Sequence, residues 1–134
     1  MNMDCFASLE MTILLENLMF REMLKAKIHR ATVTGSNIDY EGSIMVDENL
    51  LKVANILPYE KVLVINLQNG SRVETYAIVG RAGSGEVSVN GGAALFSKVG
   101  DKIIIMNFCL LDERELKNYQ AKVIRVDEKN HPIP

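Results

Sequence analysis

The side chains able to do chemistry are spread over a few short segments. Ser43 follows Gly42. A serine hydroxyl is a weak nucleophile and acts as one only where its surroundings position and activate it. Gly42, without a Cβ, tolerates unusual backbone angles. Alone, a Gly-Ser pair is more often a strand irregularity. Arg72 could grip a carboxylate through two parallel hydrogen bonds, and Lys27 offers a second cation. Either one alone is more often a solvated strand charge. The phenol of Tyr76 stays protonated at neutral pH and could give its proton to a strong base. Tyr in such a run is most often a half-buried strand aromatic. Asn90-Gly91-Gly92-Ala93 could bring main-chain N–H groups to an anion, or be only a tight turn. His29 and Tyr40 rank lower, since a lone strand His is more often structural.

Thr75 and Tyr76 are adjacent, and alternation puts them on opposite faces of a regular strand. If both serve one site, either the strand is distorted or the site lies between subunits. Other constellations are missing. Two His and two Cys, far apart, give no zinc spacing. There is no G-x-S-x-G and no H-E-x-x-H. Gly80–Gly85 has its glycines at the wrong spacing for a phosphate loop and reads as a plain hairpin turn.

The elements that must position these residues are short. Lys27–Thr34 is β-like, Gly35-Ser36-Asn37 looks like a turn, and Tyr40–Val46 reads as a strand. Asp47 can cap a helix carrying Leu50, Leu51, Ala54 and Leu57, with Pro58 helping to stop it. Lys61–Leu67 and Arg72–Val79 flank Asn69-Gly70, a strong hairpin signal. Glu86–Val89 is another strand, and Lys102–Phe108 reads as a buried one. Asp112–Tyr119 could form a helical turn, Ala121–Asp127 a last strand, and Asn130–Pro134 a tail. Six or seven strands with one or two short helices predict a mainly β fold, a small closed barrel.

Residues 1–22 differ. Leu9, Ile13, Glu16 and Phe20 share a helical stripe, with Leu14, Leu15 and Leu18 beside it. The stretch reads as an N-terminal extension, helical or poorly ordered, ahead of one domain over 23–134. The 134 residues are 48% apolar with no Trp, so the core must be aliphatic. A net charge of −2 gives no footprint for nucleic acid. Scattered basic residues argue against a membrane surface. The apolar run Met11–Phe20 is too short to span, and acidic Asp4 and Glu10 do not suit a signal peptide. Cys5 and Cys109 are too few for a disulfide framework, which points to reduced thiols and a cytoplasmic protein.

Four segments carry the specific case: Lys27-Ile28-His29-Arg30-Ala31-Thr32-Val33-Thr34; Tyr40-Glu41-Gly42-Ser43-Ile44; Asn69-Gly70-Ser71-Arg72 with Glu74-Thr75-Tyr76; and Asn90-Gly91-Gly92-Ala93-Ala94 with Gly100-Asp101. In series they closely resemble the bacterial aspartate 1-decarboxylases of pantothenate synthesis, in order from about Met19 to Asp127. The resemblance implies a double-psi β-barrel, a homotetramer, and conversion of L-aspartate to β-alanine and carbon dioxide. It also implies a covalent pyruvoyl group derived from Ser43, with no metal and no pyridoxal phosphate. Self-cleavage between Gly42 and Ser43 would leave fragments 1–42 and 43–134.

By the same resemblance Tyr76 is the proton donor and Thr75 contacts substrate and assists cleavage. Arg72 and Lys27 bind carboxylate, and Asn90 with the backbone of Gly91, Gly92 and Ala93 forms a substrate-binding loop. His29 and Tyr40 sit nearby. Gly92 stands where many relatives have Ala, which could loosen the loop. Cleavage that is spontaneous and cleavage aided by an accessory factor both stay open. Two rivals remain: a barrel that never matures and binds a small acid or a partner protein, and the same chemistry on glutamate. One methylene discriminates by only about 1–3 kcal/mol.

Overall fold

A computed structural model describes residues 8–11 and 18–134. It divides into two units, Met1–Met23 with Cys109–Gln120, and Leu24–Phe108 with Ala121–Pro134. The larger unit holds every residue singled out for chemistry.

The strands are β1 (Phe20–Thr32), β2 (Gly35–Asn37), β3 (Ile44–Asp47), β4 (Lys61–Asn66), β5 (Arg72–Gly80), β6 (Val87–Asn90), β7 (Lys102–Asp112), β8 (Lys122–Val126) and β9 (Pro132–Ile133). A helix, α1 (Glu48–Ala54), lies between β3 and β4. Short 3-10 helices follow β6 at Gly91–Phe96 and β7 at Glu113–Glu115. The protein is therefore mainly β with few short helices, as the sequence predicts. The strand order is β2-β6-β3-β5-β4-β7-β1-β8-β9.

Among the described residues nine strands replace the expected six or seven, and their hydrogen bonding does not close into a ring. Two of the extra strands are very short. Gly35-Ser36-Asn37, read as a turn, runs parallel to β6, and the Asn130–Pro134 tail supplies β9 against β8. Neither has a hydrophobic alternation that would reveal it, because each is fixed by a partner distant in sequence. Strand β3 also starts later than expected, at Ile44, leaving Tyr40–Ser43 as irregular chain. Phe20, placed on a helical stripe, instead heads β1. Residues 8–11 are helical. The remaining stripe positions, Ile13 to Glu16, lie outside the described residues.

The core follows from strand alternation. Ala26 and Ile28 of β1, Ile44 and Val46 of β3, Val62 and Val64 of β4, Val87 and Val89 of β6, and Ile103 and Ile105 of β7 join one buried cluster with Leu50, Leu51 and Ala54 of α1. Ile104 is buried too, as expected for an apolar run covered on both sides. The helix ends at Asn55, in left-handed conformation, with its N–H on the Leu51 and Lys52 carbonyls. Termination thus comes three residues before Pro58, and Leu57 is left 63% exposed.

Asn69-Gly70 does sit in a hairpin, but β4 and β5 pair only as far as Ile65 opposite Arg72. Asn66 N–H then donates to the Ser71 carbonyl at 3.0 Å, so the loop is longer than a two-residue turn. The segment after Gly80 is not a hairpin turn. Strand β3 lies between β5 and β6, parallel to the first and antiparallel to the second. The glycines serve Asp47 instead. Its carboxylate is 2% exposed and accepts from the N–H groups of Asn49, Gly83 and Gly85 at 2.8, 3.0 and 2.8 Å. One carboxylate thus caps α1 and ties down the crossover.

In the smaller unit Asp112 caps its 3-10 helix through a capping box, and Arg21 pairs with Glu113. That ion pair is exposed and contributes little to stability.

Burial raises the Asp47 pKa, but the Gly85, Gly83 and Asn49 amides outweigh it and hold the carboxyl below the usual range. A depressed folded-state pKa gives stability that is full above the unfolded value near 3.9 and fades as pH falls through the folded one. Asp47→Asn should therefore cost about 2–3 kcal/mol at neutral pH. In urea titrations the gap to wild type should narrow below about pH 4.

Candidate active site

Three elements converge on Ser43. The first is its own segment. Gly42 has φ +56° and Ser43 φ +85°, both in the left-handed region. For serine this is uncommon, and such residues cost on the order of 1–3 kcal/mol. The Gly42 N–H donates back to the Tyr40 carbonyl at 2.7 Å, a tight turn about Glu41. The strain sits on the two residues that flank the proposed scissile peptide.

The second element is the end of β6. β3 and β6 pair at Ile44 and Val89, and the ladder continues with Asn90 N–H on the Ser43 carbonyl at 3.0 Å. The Asn90 side chain reaches the Ser43 hydroxyl, Nδ2 to Oγ 3.4 Å, a long contact. Ser43 and Asn90 are 2% and 4% exposed. Next, Gly91 passes so close to the segment that a Cβ there would lie 2.6 Å from both Cα and N of Gly42. Gly91 also has φ +63°, so neither its space nor its conformation admits a side chain. At Gly92 an added Cβ meets nothing within 4 Å, so alanine would fit there sterically.

The loop after Gly91 is anchored from below. Asn66, 1% exposed, donates through Nδ2 to the Phe96 carbonyl and to Asp101 Oδ2, both at 2.9 Å. Asn69 at the hairpin tip donates to the same Phe96 carbonyl at 2.8 Å.

The third element is β5. Its register against β4 is continuous from Arg72 to Tyr76. The strand is not distorted, and Thr75 and Tyr76 face opposite ways. Thr75 sits opposite buried Val62, while Arg72, Glu74 and Tyr76 share the outer face with Ile65, Leu63 and Lys61. The Tyr76 hydroxyl donates to the Glu41 carbonyl at 3.2 Å.

A cleft of about 440 Å³ opens here, lined by Asp39, Tyr40, Glu41, Ser43, Tyr59, Tyr76 and Ile78. Of the residues singled out in the sequence it takes in Ser43, Tyr40 and Tyr76. Gly42, Asn90 and Gly91 do not line it but adjoin Ser43 through the chain, the Asn90–Ser43 bond and the Gly91–Gly42 approach. Lys27, His29, Arg72, Thr75, Gly92 and Ala93 do not line it. Arg72 is exposed, and its Nη1 donates to the Gly70 carbonyl at 3.3 Å. Lys27 lies on β1 beside Val123 of β8. His29 lines a separate cleft of about 200 Å³ with Arg30, Lys102, Arg125 and Glu128. Its pKa is lowered by burial and then by Lys27, Arg30 and Arg125. Sequence reading did not name Asp39, Glu41, Tyr59 or Ile78 as site residues. Two of them carried a signal: Glu41 stands within the Tyr40–Ile44 motif, and Tyr59 follows Pro58 between helix and strand.

A family model described as aspartate decarboxylase matches residues 19–133. The chain belongs to the aspartate decarboxylase family. It is 54% identical over 115 residues to an aspartate 1-decarboxylase of Thermoanaerobacter pseudethanolicus, covering 86% of this chain and 98% of the relative. It is 54% identical to one of Carboxydothermus hydrogenoformans, covering 84% and 88%. One of Dehalococcoides mccartyi is 52% identical, covering 81% and 87%. The match begins at Met19, so the segment before it lies outside the part shared with the aspartate decarboxylase family. No helix among the described residues is long and apolar enough to cross a membrane.

The Gly42–Gly91 contact gives a direct test. Gly91→Ala should displace the Gly42-Ser43 peptide and slow the self-cleavage expected there at least about tenfold, since small displacements of a reacting group are that costly. Gly92→Ala should cleave like wild type. Intact mass against time reads both.

Proposed function

We propose that the chain releases the α-carboxylate of L-aspartate as carbon dioxide, leaving β-alanine, after cutting itself between Gly42 and Ser43. The observation that carries this is the Gly42-Ser43 turn. Within a family of aspartate decarboxylases, the serine that would initiate cleavage is buried, strained and in contact with Asn90.

In the cleavage, Ser43 Oγ attacks the Gly42 carbonyl carbon. The C–O bond forms as the C–N bond breaks, and the amide becomes an ester. Loss of the Ser43 α-proton with departure of the Gly42 carboxylate then leaves dehydroalanine at residue 43. Water converts this to a pyruvoyl group and ammonia. Left-handed geometry at both residues raises the ground state of the starting peptide, and Asn90 Nδ2 holds the hydroxyl in place. We assign Thr75 to the oxyanion of this step on the resemblance.

The residues present fit such a group. Position 43 opens into a cleft with room for an amino acid, and it is otherwise shielded from solvent. There the group would supply a ketone to condense with the substrate amine and a sink for the electron pair left by carbon dioxide. The chain's own residues do the rest. The Tyr76 phenol donates the proton that replaces the lost carboxylate. Asn90 and the Gly91–Ala93 backbone orient the bound acid, with Tyr40 as a wall.

Arg72 and Lys27 remain to be placed. In a homotetramer we assign them to the substrate carboxylates, with Arg72 presented from an exposed strand face and His29 supporting that side. The finer fold consistent with this family is a double-psi barrel over 23–134, with residues 1–22 as an N-terminal extension. The reading also includes a cytoplasmic setting and supply of β-alanine to pantothenate synthesis.

After incubation, intact mass should show 1–42 and 43–134, the latter short of ammonia and blocked at its N-terminus. Ser43→Ala should stay whole and release no carbon dioxide. Borohydride with aspartate should label only the cleaved wild type. A wild-type chain that stays whole and inactive, with or without added cell extract, would overturn the proposal. Arg72→Ala should lower kcat/KM by at least about a hundredfold, the scale of a lost bidentate carboxylate contact.

A further inference from the structure

Tyr59 has no role in the chemistry described so far, yet it lines the cleft beside Ser43 and Tyr76. It is 78% exposed and has φ +70°. For a bulky residue that backbone conformation is a true outlier. The turn explains where the strain sits. The Glu60 N–H closes it on the Leu57 carbonyl at 3.1 Å, with Pro58 and Tyr59 as its central residues. Proline then a residue of positive φ is the pattern of a type II turn, whose second central position favours glycine. A tyrosine there burdens the fold, and its ring is mostly in solvent, so burial does not compensate.

The turn is also held fixed. Tyr59 N–H donates to the Ala77 carbonyl at 2.7 Å, and Ala77 N–H to the Glu60 carbonyl at 3.0 Å. Glu60 is pinned by the Lys25 ammonium, an ion pair only partly exposed, and by Asn107 Nδ2 at 2.9 Å. These bonds fasten the turn to the residue next to Tyr76. The Tyr59 and Tyr76 rings then lie 6.4 Å apart between centroids, tilted by 36°. That separation lies within the range for interacting aromatic pairs.

We propose that Tyr59 is a positioning residue, whose ring braces Tyr76 so that the phenol stays aimed into the cleft. The inference rests on the decarboxylase reading and deepens it. Tyr76 is itself 38% exposed, with one hydrogen bond from its hydroxyl to Glu41. Without a neighbouring ring, its side chain could swing toward solvent, and proton delivery would lose its geometry. The contact is ring against ring, so the Tyr59 hydroxyl is dispensable.

The test uses the full chain after cleavage, with rates divided by the cleaved fraction measured by mass. Tyr59→Gly relieves the positive φ and should melt no lower than wild type. It should still lose roughly tenfold in kcat with KM changed less than about twofold, the pattern of a misaligned proton donor. Tyr59→Asn, which also tolerates this conformation, should behave alike and serves if the glycine variant folds poorly. Tyr59→Phe should keep kcat within about twofold. A ringless variant with wild-type kcat overturns the inference, as does a Tyr59→Phe variant as slow as Tyr59→Gly. Either result leaves the decarboxylase reading standing if wild type cleaves and releases carbon dioxide. An inactive wild type would sink that reading first.

Discussion

Two backbones meet at Gly42 and Gly91 more closely than any side chain permits. A Cβ on Gly91 would lie inside contact distance of Gly42 Cα and N. Much of the site's geometry depends on that approach. It lets the β3–β6 ladder run on to Ser43 and Asn90, and it holds Gly42-Ser43 in left-handed conformation. A strained peptide persists only where its surroundings over-determine it. Here the surroundings are a hydrogen-bonded ladder on one side and a close-packed turn on the other.

The supports lie in buried polar side chains that each serve several backbone groups. Asp47 joins α1 to the crossover between β5 and β6, fixing both neighbours of β3. Asn66 holds the far end of the 3-10 helix that begins at Gly91. Asn130 accepts from Thr32 N–H and donates to the Thr32 and Gly85 carbonyls, tying the end of β1 to that same crossover. Irregular chain has few ladder bonds of its own, so these side chains supply its order.

Strand parity sorts the rest. Arg72 and Tyr76 share a face of β5, but they are four residues apart, about 13 Å along a strand. Tyr76 therefore reaches the Ser43 cleft in its own chain while Arg72 points out beyond it. Thr75, next to Tyr76 in the chain, faces Val62 and the interior side. The cleft of one chain holds a serine, phenols and two acidic side chains, and Arg72 and Lys27 do not line it.

The sequence by itself determined the family resemblance, the mainly β character and the aliphatic core. The motifs that carry Ser43, Tyr76 and Asn90 stood out because they follow one another in order along the chain. The buried strands were legible because alternation and apolar runs are local signals, as in Ile103–Ile105. Helix α1 was legible from Asp47 and its leucines. Only the tertiary structure decided what depended on distant partners. It turned Gly35–Asn37 and Pro132–Ile133 into strands, and made the Gly80–Gly85 segment a crossover holding a carboxylate. It also put Tyr59 against Tyr76 and Gly91 against Gly42. A positive φ at a tyrosine, or the space at a glycine, is set by chain that returns from elsewhere. No local pattern of residue types encodes it.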